Sequence, residues 1–137
     1  MMACTGTSEK HLVRRFSPDY LLVHPMGMDY AGEAFGSDSS EYRNHAIRQD
    51  AWLAPQLLEW SGRGHIILVT GDHGMNRDGL HGGTTPEQRE VPLYLIRPEQ
   101  TGQGNNGQTI SQLQIAPTIC KLLGVPIPKT MKHAPLV

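Results

Sequence analysis

The stretch Val69–Gly83, VTGDHGMNRDGLHGG, sets an aspartate and a histidine side by side between glycines and brings a second histidine eight residues later. Carboxylate oxygen and imidazole nitrogen are donors that divalent metals take from proteins. Gly71 and Gly74, around Asp72 and His73, allow a sharp turn in which consecutive side chains diverge. Gly82 and Gly83, behind His81, permit close approach of backbone to a ligand, and Asp78-Gly79 reads as a turn. A second acidic pair, Asp29 and Glu33, lies upstream in MGMDYAGEAFGSDSS, which reads as a loop.

The elements that must position these groups follow from the apolar runs. DYLLVHP, HIILVT and VPLYLIR each suit a short strand buried on both faces. Asp38 and Glu41 have the spacing of a capping box, which predicts a helix from near Ser39. Tyr42, Ala46, Ile47, Leu53, Leu57 and Leu58 form its inner side, with a kink at Pro55 and an end at Gly62 and Gly64. SQLQIAPTICKLLG predicts a second helix, broken or restarted at Pro117, with Leu113, Ala116, Ile119, Cys120 and Leu123 inward and Gly124 as its stop.

Strands separated by helices rather than hairpins predict an α/β architecture with a mainly parallel sheet covered on both faces. Ligands of such sheets bind at the carboxyl ends of the strands. Parallel strands would therefore gather Asp29, Glu33, Asp72, His73 and His81 on one edge. Three carboxylates there would repel one another and either raise their pKa values or require a cation, and the two imidazoles complete an oxygen and nitrogen ligand set. A divalent metal site is the economical reading.

Bulk properties narrow the partners. With 137 residues the chain has room for one modest domain or for a piece of a larger one. A formal net charge of -1, without a basic stripe, gives no nucleic-acid footprint. Cys4 and Cys120 lie far apart in sequence and read as free thiols. No apolar run is long enough to cross a bilayer, and the opening MMACTGTSEKHLVRRF has no apolar signal-peptide core, which leaves the compartment unknown. PEQTGQGNNGQT has the composition of an exposed loop, and VPIPKTMKHAPLV reads as an extended tail.

Four segments in order, DYLLVHPMGMDYAGEAFG, ILVTGDHGMNRDGLHGG, REVPLYL and IAPTICKLLGVPIP, resemble the C-terminal half of type I phosphodiesterases and nucleotide pyrophosphatases, within the alkaline phosphatase superfamily. The resemblance implies a three-layer αβα fold, here an incomplete alkaline-phosphatase-like domain over residues 18–137 behind an unassigned leader, 1–17. It also implies two divalent ions, usually Zn²⁺. Asp72 and His73 would hold one ion; Asp29, Glu33 and His81 would hold the other. The implied activity is metal-dependent hydrolysis of phosphodiester or pyrophosphate bonds in nucleotide-like substrates. In that family a Thr or Ser attacks phosphorus, forms a phosphorylated enzyme and is released by water.

Two departures qualify what the resemblance implies. The family pattern Asp-x-x-Gly-His reads DYAGE here, so Glu33 occupies a histidine's place. An anionic oxygen there tilts preference toward Mn²⁺ or Mg²⁺. No hydroxyl among Thr5, Thr7, Thr70, Thr84 and Thr85 has the family's nucleophile context, so the chain reads as the metal-binding half, with the nucleophile half elsewhere. Its strands would then belong to a wider sheet, and an exposed edge favours self-association. A phosphomutase or sulfatase of the same superfamily, or a non-catalytic metal-binding or assembly fragment, are the rival readings. His24, at the end of the first strand, is either a substrate contact or an ordinary packed histidine; Arg77 and Arg89 read as surface charges.

Overall fold

A computed structural model describes residues 8–98 and 100–137 of the chain. Cys4, Thr5 and Thr7, considered above, lie outside the described residues. In chain order the elements are α1 (Ser8–Phe16), α2 (Gly27–Phe35), α3 (Ser40–Gly62), β1 (Ile67–Thr70), α4 (Pro86–Arg89), β2 (Leu93–Ile96), a 3₁₀ turn (Gln112–Gln114) and α5 (Ile115–Leu122). The fold is mixed α/β, as the alternation of apolar runs implied.

The sheet differs from the expected one. β1 and β2 pair antiparallel, in register from Ile67 opposite Ile96 to Thr70 opposite Leu93. They are also not fully buried, since the Tyr94 side chain faces outward. A run of four or five apolar residues carries no information about strand direction, because parallel and antiparallel ladders accept the same side chains. The segment expected to form the first strand, DYLLVHP, makes no ladder and is not a strand. Its burial nevertheless alternates: Leu21 and Val23 pack against the core while Leu22 and His24 face outward. The side chains keep the two-residue period of a strand, without a neighbour to bond.

The core is small. Val13 of α1, Trp60 of α3 and Ile67 of β1 form its centre, with Leu53, Leu57 and Val69 packed against them. Part of the sequence read as a leader thus docks on the fold through Val13. Arg14 reinforces that contact with a forked pair of bonds to Glu59, from Nε to Oε1 at 2.8 Å and from Nη2 to Oε2 at 2.9 Å. Those bonds hold the Glu59 carboxyl below its ordinary range.

The long helix α3 starts one residue later than the capping box implied. Ser39, not Asp38, is the N-cap, and its hydroxyl accepts the Tyr42 N–H at 3.1 Å. The helix runs through Pro55 and ends at Gly62. Its inner face is less apolar than the sequence suggested: Ile47 and Leu58 are 60% and 79% exposed, whereas Gln56 and Trp60 are buried. The inward stripe follows Tyr42, His45, Gln49, Leu53, Gln56 and Trp60, a mixed polar and aromatic set that a count of aliphatic residues overlooks.

At the other end, α5 begins at Ile115 and accommodates Pro117 in its first turn, where a proline's missing N–H breaks no helical bond. Pro117 and Thr118 are the buried residues, not Leu113, Ala116 or Leu123. The Thr118 hydroxyl donates to the Gln114 carbonyl at 2.6 Å and accepts the Leu136 N–H at 2.8 Å, so it ties the tail back onto the helix.

Candidate metal centre

The loop expected around Asp29 is instead the nine-residue helix α2, closed by Gly36. Helical spacing puts Asp29 and Glu33, four apart, on one face. The glycines of MGMDYAGEAFG concealed this helix, yet one of them explains where it sits. Gly32 is buried, and a Cβ there would fall 2.7 Å from Cε of Met75, so only glycine lets the glycine-rich loop come this close. Met75, itself buried, is thus the anchor that brings Asp-His-Gly-Met against α2.

Further backbone contacts lock the two segments together. Gly36 has φ +78° and ψ 159°, a conformation open only to glycine, and a Cβ there would overlap the Arg77 carbonyl. Ser37 N–H donates to the Asn76 carbonyl at 3.1 Å. Inside the loop, Asn76 Oδ1 accepts the N–H groups of Asp78 and Leu80 at 3.0 and 2.8 Å, around the Asp78-Gly79 turn read from the sequence. Gln88 of α4 donates to the Leu80 carbonyl at 3.1 Å, and Gln112 donates to the carbonyls of Gly71 and Asp72 at 2.9 and 3.1 Å. Asn76 lay within an evident turn. Gln88 and Gln112 carry no sequence signal, because an isolated glutamine announces nothing about the loop it will hold.

Asp29, His73 and His81 meet at this junction, with one ligand atom from each lying within 4.8 Å of the others. His73 Nε2 is 3.7 Å and His81 Nε2 3.8 Å from Asp29 Oδ1. The two imidazoles stack, with centroids 4.3 Å apart and planes 18° from parallel. His73 Nδ1 lies 3.1 Å from the Gly74 carbonyl, which can only accept, so Nδ1 carries a proton and, in the neutral ring, Nε2 is the nitrogen that offers a lone pair on the side of Asp29. Asp29 Oδ1 is buried and has no hydrogen-bond partner among the described residues. A buried anionic oxygen without a donor is costly, and two imidazole nitrogens facing it form a donor set that fits a divalent cation.

The other two expected ligands border this group. Glu33 Oε1 is 3.2 Å from His81 Nε2, and its side chain is half exposed. Asp72 Oδ2 is 3.7 Å from His73 Nε2 and 3.6 Å from His24 Nε2, with its side chain 61% exposed. All five sequence-selected residues therefore come together, and His24 joins them through Asp72. The Asp29 charge is felt beyond the group: the Tyr42 phenol is held above its ordinary range by burial first and by Asp29 second. Arg77 contributes its carbonyl at Gly36, while Arg89 makes a 3.8 Å surface pair with Glu90.

Neither a protein-family model nor a solved structure matches the chain. Curated proteins do. It is 32% identical over 123 residues to GPI ethanolamine phosphate transferase 2 of Candida albicans, across 81% of this chain and 14% of that protein. It is 30% identical over 113 residues to the catalytic subunit of human GPI ethanolamine phosphate transferase 3, across 80% of this chain and 10% of that protein. The transferase 2 of Schizosaccharomyces pombe is 29% identical over 130 residues, which cover 17% of its length. The chain thus spans between 10% and 17% of these relatives. They are phosphodiesterase-like enzymes of the alkaline phosphatase superfamily, so the resemblance read from the sequence holds at the level of the superfamily rather than of the nucleotide pyrophosphatases.

Proposed function

We propose that this chain provides the metal-holding part of a phosphoryl-transfer site, and that the group transferred is ethanolamine phosphate. The observation that carries the metal reading is the buried, unpartnered Asp29 Oδ1 facing the Nε2 atoms of His73 and His81. The relatives' names supply the transferred group.

Asp29, His73 and His81 would hold the ion, a three-ligand set with room for a substrate oxygen, which suits Zn²⁺. A divalent ion there supplies charge stabilisation for phosphoryl oxygens during in-line displacement. Each protein group has its own task. Asp29 contributes the compensating negative charge, and the Gly74 carbonyl keeps the His73 Nε2 lone pair turned toward the centre. The half-exposed Glu33 and the exposed Asp72 extend the donor set on the solvent side. In the two-ion arrangement Asp72 and His73 form one site and Asp29, Glu33 and His81 the other; a harder Mn²⁺ or Mg²⁺ then suits the carboxylate-rich one. The same reading makes β1 and β2 members of a wider αβα sheet, which would cover outward apolar side chains such as Leu22 and Leu58.

The test is a calorimetric titration of the chain with Zn²⁺ and Mn²⁺. Saturable binding that vanishes in Asp29→Asn and in His73→Ala is the expected outcome; unchanged binding in both would falsify the assignment. The metal-loaded chain is then offered an aryl phosphodiester. Turnover assigns it the hydrolytic chemistry that water gives in place of an acceptor, whereas binding without turnover assigns it the metal-holding role alone.

A further inference from the structure

Gln88 belongs to the short helix α4 and is only 7% exposed, yet its bonds reach the chain neighbours of both histidines of the centre. Its backbone carbonyl accepts the Gly74 N–H at 2.8 Å, one residue past His73. Its side-chain Nε2 donates to the Leu80 carbonyl at 3.1 Å, one residue before His81. The amide has a single orientation that satisfies its neighbours. A carbonyl oxygen can only accept, so Nε2 faces Leu80 and Oε1 faces Thr85, whose hydroxyl donates at 3.0 Å. The Gln88 N–H closes the same turn on the Thr85 carbonyl at 3.1 Å.

Two glycines let α4 come this close. A Cβ at Gly74, directly after His73, would overlap the Glu87 carbonyl oxygen, and a Cβ at Gly83, two residues after His81, would overlap Gln88 Oε1. Asn76 closes the intervening turn from within, its N–H also going to the Leu80 carbonyl at 3.1 Å. Gln88 grips the same loop from outside, with one bond beside each histidine. Between those two bonds the rings of His73 and His81 stand stacked, 4.3 Å apart and 18° from parallel. Because the amide is buried, water does not replace the Leu80 bond when the donor is removed, and the carbonyl is left to find another partner.

The structure assigns Gln88 as the positioning residue of the His73–His81 pair: it holds the two imidazoles in the stack that turns both Nε2 atoms toward Asp29 Oδ1. The assignment rests on the proposed metal reading and deepens it, by naming the residue that sets the geometry of the nitrogen donors. Groups that hold metal ligands in place without touching the ion commonly govern affinity, and their loss lowers it by about 10- to 100-fold. A ligand set held in place before the ion arrives is spared the ordering that binding would otherwise cost.

Gln88→Met keeps the length of the side chain and removes both amide bonds. In the full chain, isotopically labelled and kept in chelator, the ring resonances of His73 and His81 should move as the stack opens. Ser39→Ala, which weakens the start of α3, should leave them in place. Calorimetry should then show Zn²⁺ bound at least tenfold more weakly by Gln88→Met. Co²⁺ used in place of Zn²⁺ should show altered visible bands, which report ligand geometry and do not respond to a mere loss of stability. Thr85→Val, nearly identical in shape at an exposed position, frees Oε1 alone and should move the same quantities less. Unmoved rings in Gln88→Met, or unchanged Zn²⁺ affinity with unchanged Co²⁺ bands, would each overturn the assignment. If Gln88→Met does not fold, Thr85→Val decides by the same criteria. Absence of Zn²⁺ binding in the unaltered chain removes the metal centre, and the metal-free ring resonances then decide alone whether Gln88 places the pair.

Discussion

Two aspartates flank His73 at nearly equal distance, Asp29 Oδ1 and Asp72 Oδ2 each at 3.7 Å, but they live in different surroundings. Asp29 is carried by a helix, 20% exposed, and its Oδ1 is buried without a donor. Asp72 is on the loop, 61% exposed, and also accepts the His73 N–H through Oδ1 at 3.1 Å. Distance alone would make them equivalent. Burial and unmet hydrogen bonding distinguish an oxygen that needs a cation from one that water already serves, because exposed ion pairs contribute little. On the proposed reading, the enclosed side of the centre is where binding energy would concentrate.

The largest expected effect tests that asymmetry directly. Asp29→Asn should weaken Zn²⁺ binding about a thousandfold, roughly 4 kcal/mol, while Asp72→Asn should weaken it by about tenfold or less. Calorimetry on the two variants decides it. Equal losses would show that both carboxylates hold the same ion. A fall from two bound ions to one in Asp72→Asn alone would show that the open side has an ion of its own.

The next effect separates the two ligand-bearing segments instead of removing a ligand. Gly36→Ala places a Cβ against the Arg77 carbonyl at a backbone conformation reserved for glycine, so about 3 kcal/mol of stability should be lost, read by denaturant unfolding. Metal affinity should fall with it, since α2 and the glycine-rich loop are joined there. A stable Gly36→Ala chain with full affinity would mean that the junction is not what aligns Asp29 with His73.

How much of this was legible in the sequence follows the same division. The residues that gather at the candidate centre were readable because chemistry-bearing side chains crowded among glycines announce themselves in composition. The two paired strands and the long helix were readable from their apolar runs and from the serine and acidic residues at the helix start. What escaped notice depended on three-dimensional neighbours. Helix α2 was hidden by Gly27, Gly32 and Gly36, although Gly32 is there to admit Met75 and Gly36 to admit the Arg77 carbonyl. The pairing of β1 with β2 was hidden because strand direction has no local signature. Gln112, which fixes the carbonyls of Gly71 and Asp72, was invisible for a related reason: an amide's partner is set by the fold and not by its sequence neighbours.

A smaller effect asks whether Glu33 belongs to the enclosed or the open side. Its carboxylate is half exposed yet sits 3.2 Å from His81 Nε2. Glu33→His should shift selectivity toward Zn²⁺ over Mn²⁺ by about tenfold, because it exchanges a hard oxygen for an imidazole nitrogen. Unchanged selectivity would place Glu33 outside the ligand set. Ser39→Ala, which removes the α3 cap, should lower stability by about 1 kcal/mol and leave metal affinity untouched.

The smallest expected effect belongs to a contact far from the centre. Arg14 holds α1 on α3 through Glu59, and its hydrogen bond is the first cause of the lowered Glu59 carboxyl. A carboxyl whose folded value lies below its unfolded one contributes stability that is fully present above the unfolded value and disappears as pH falls through the folded value. Acid should therefore loosen α1. Since the pair is largely solvent-facing, the change should be modest and screened by salt. Arg14→Met, measured by thermal unfolding from neutral pH downward, should flatten that part of the acid slope without altering Zn²⁺ binding at neutral pH. An unchanged acid slope would mean that Val13 alone seats the helix and that the Arg14–Glu59 pair is incidental.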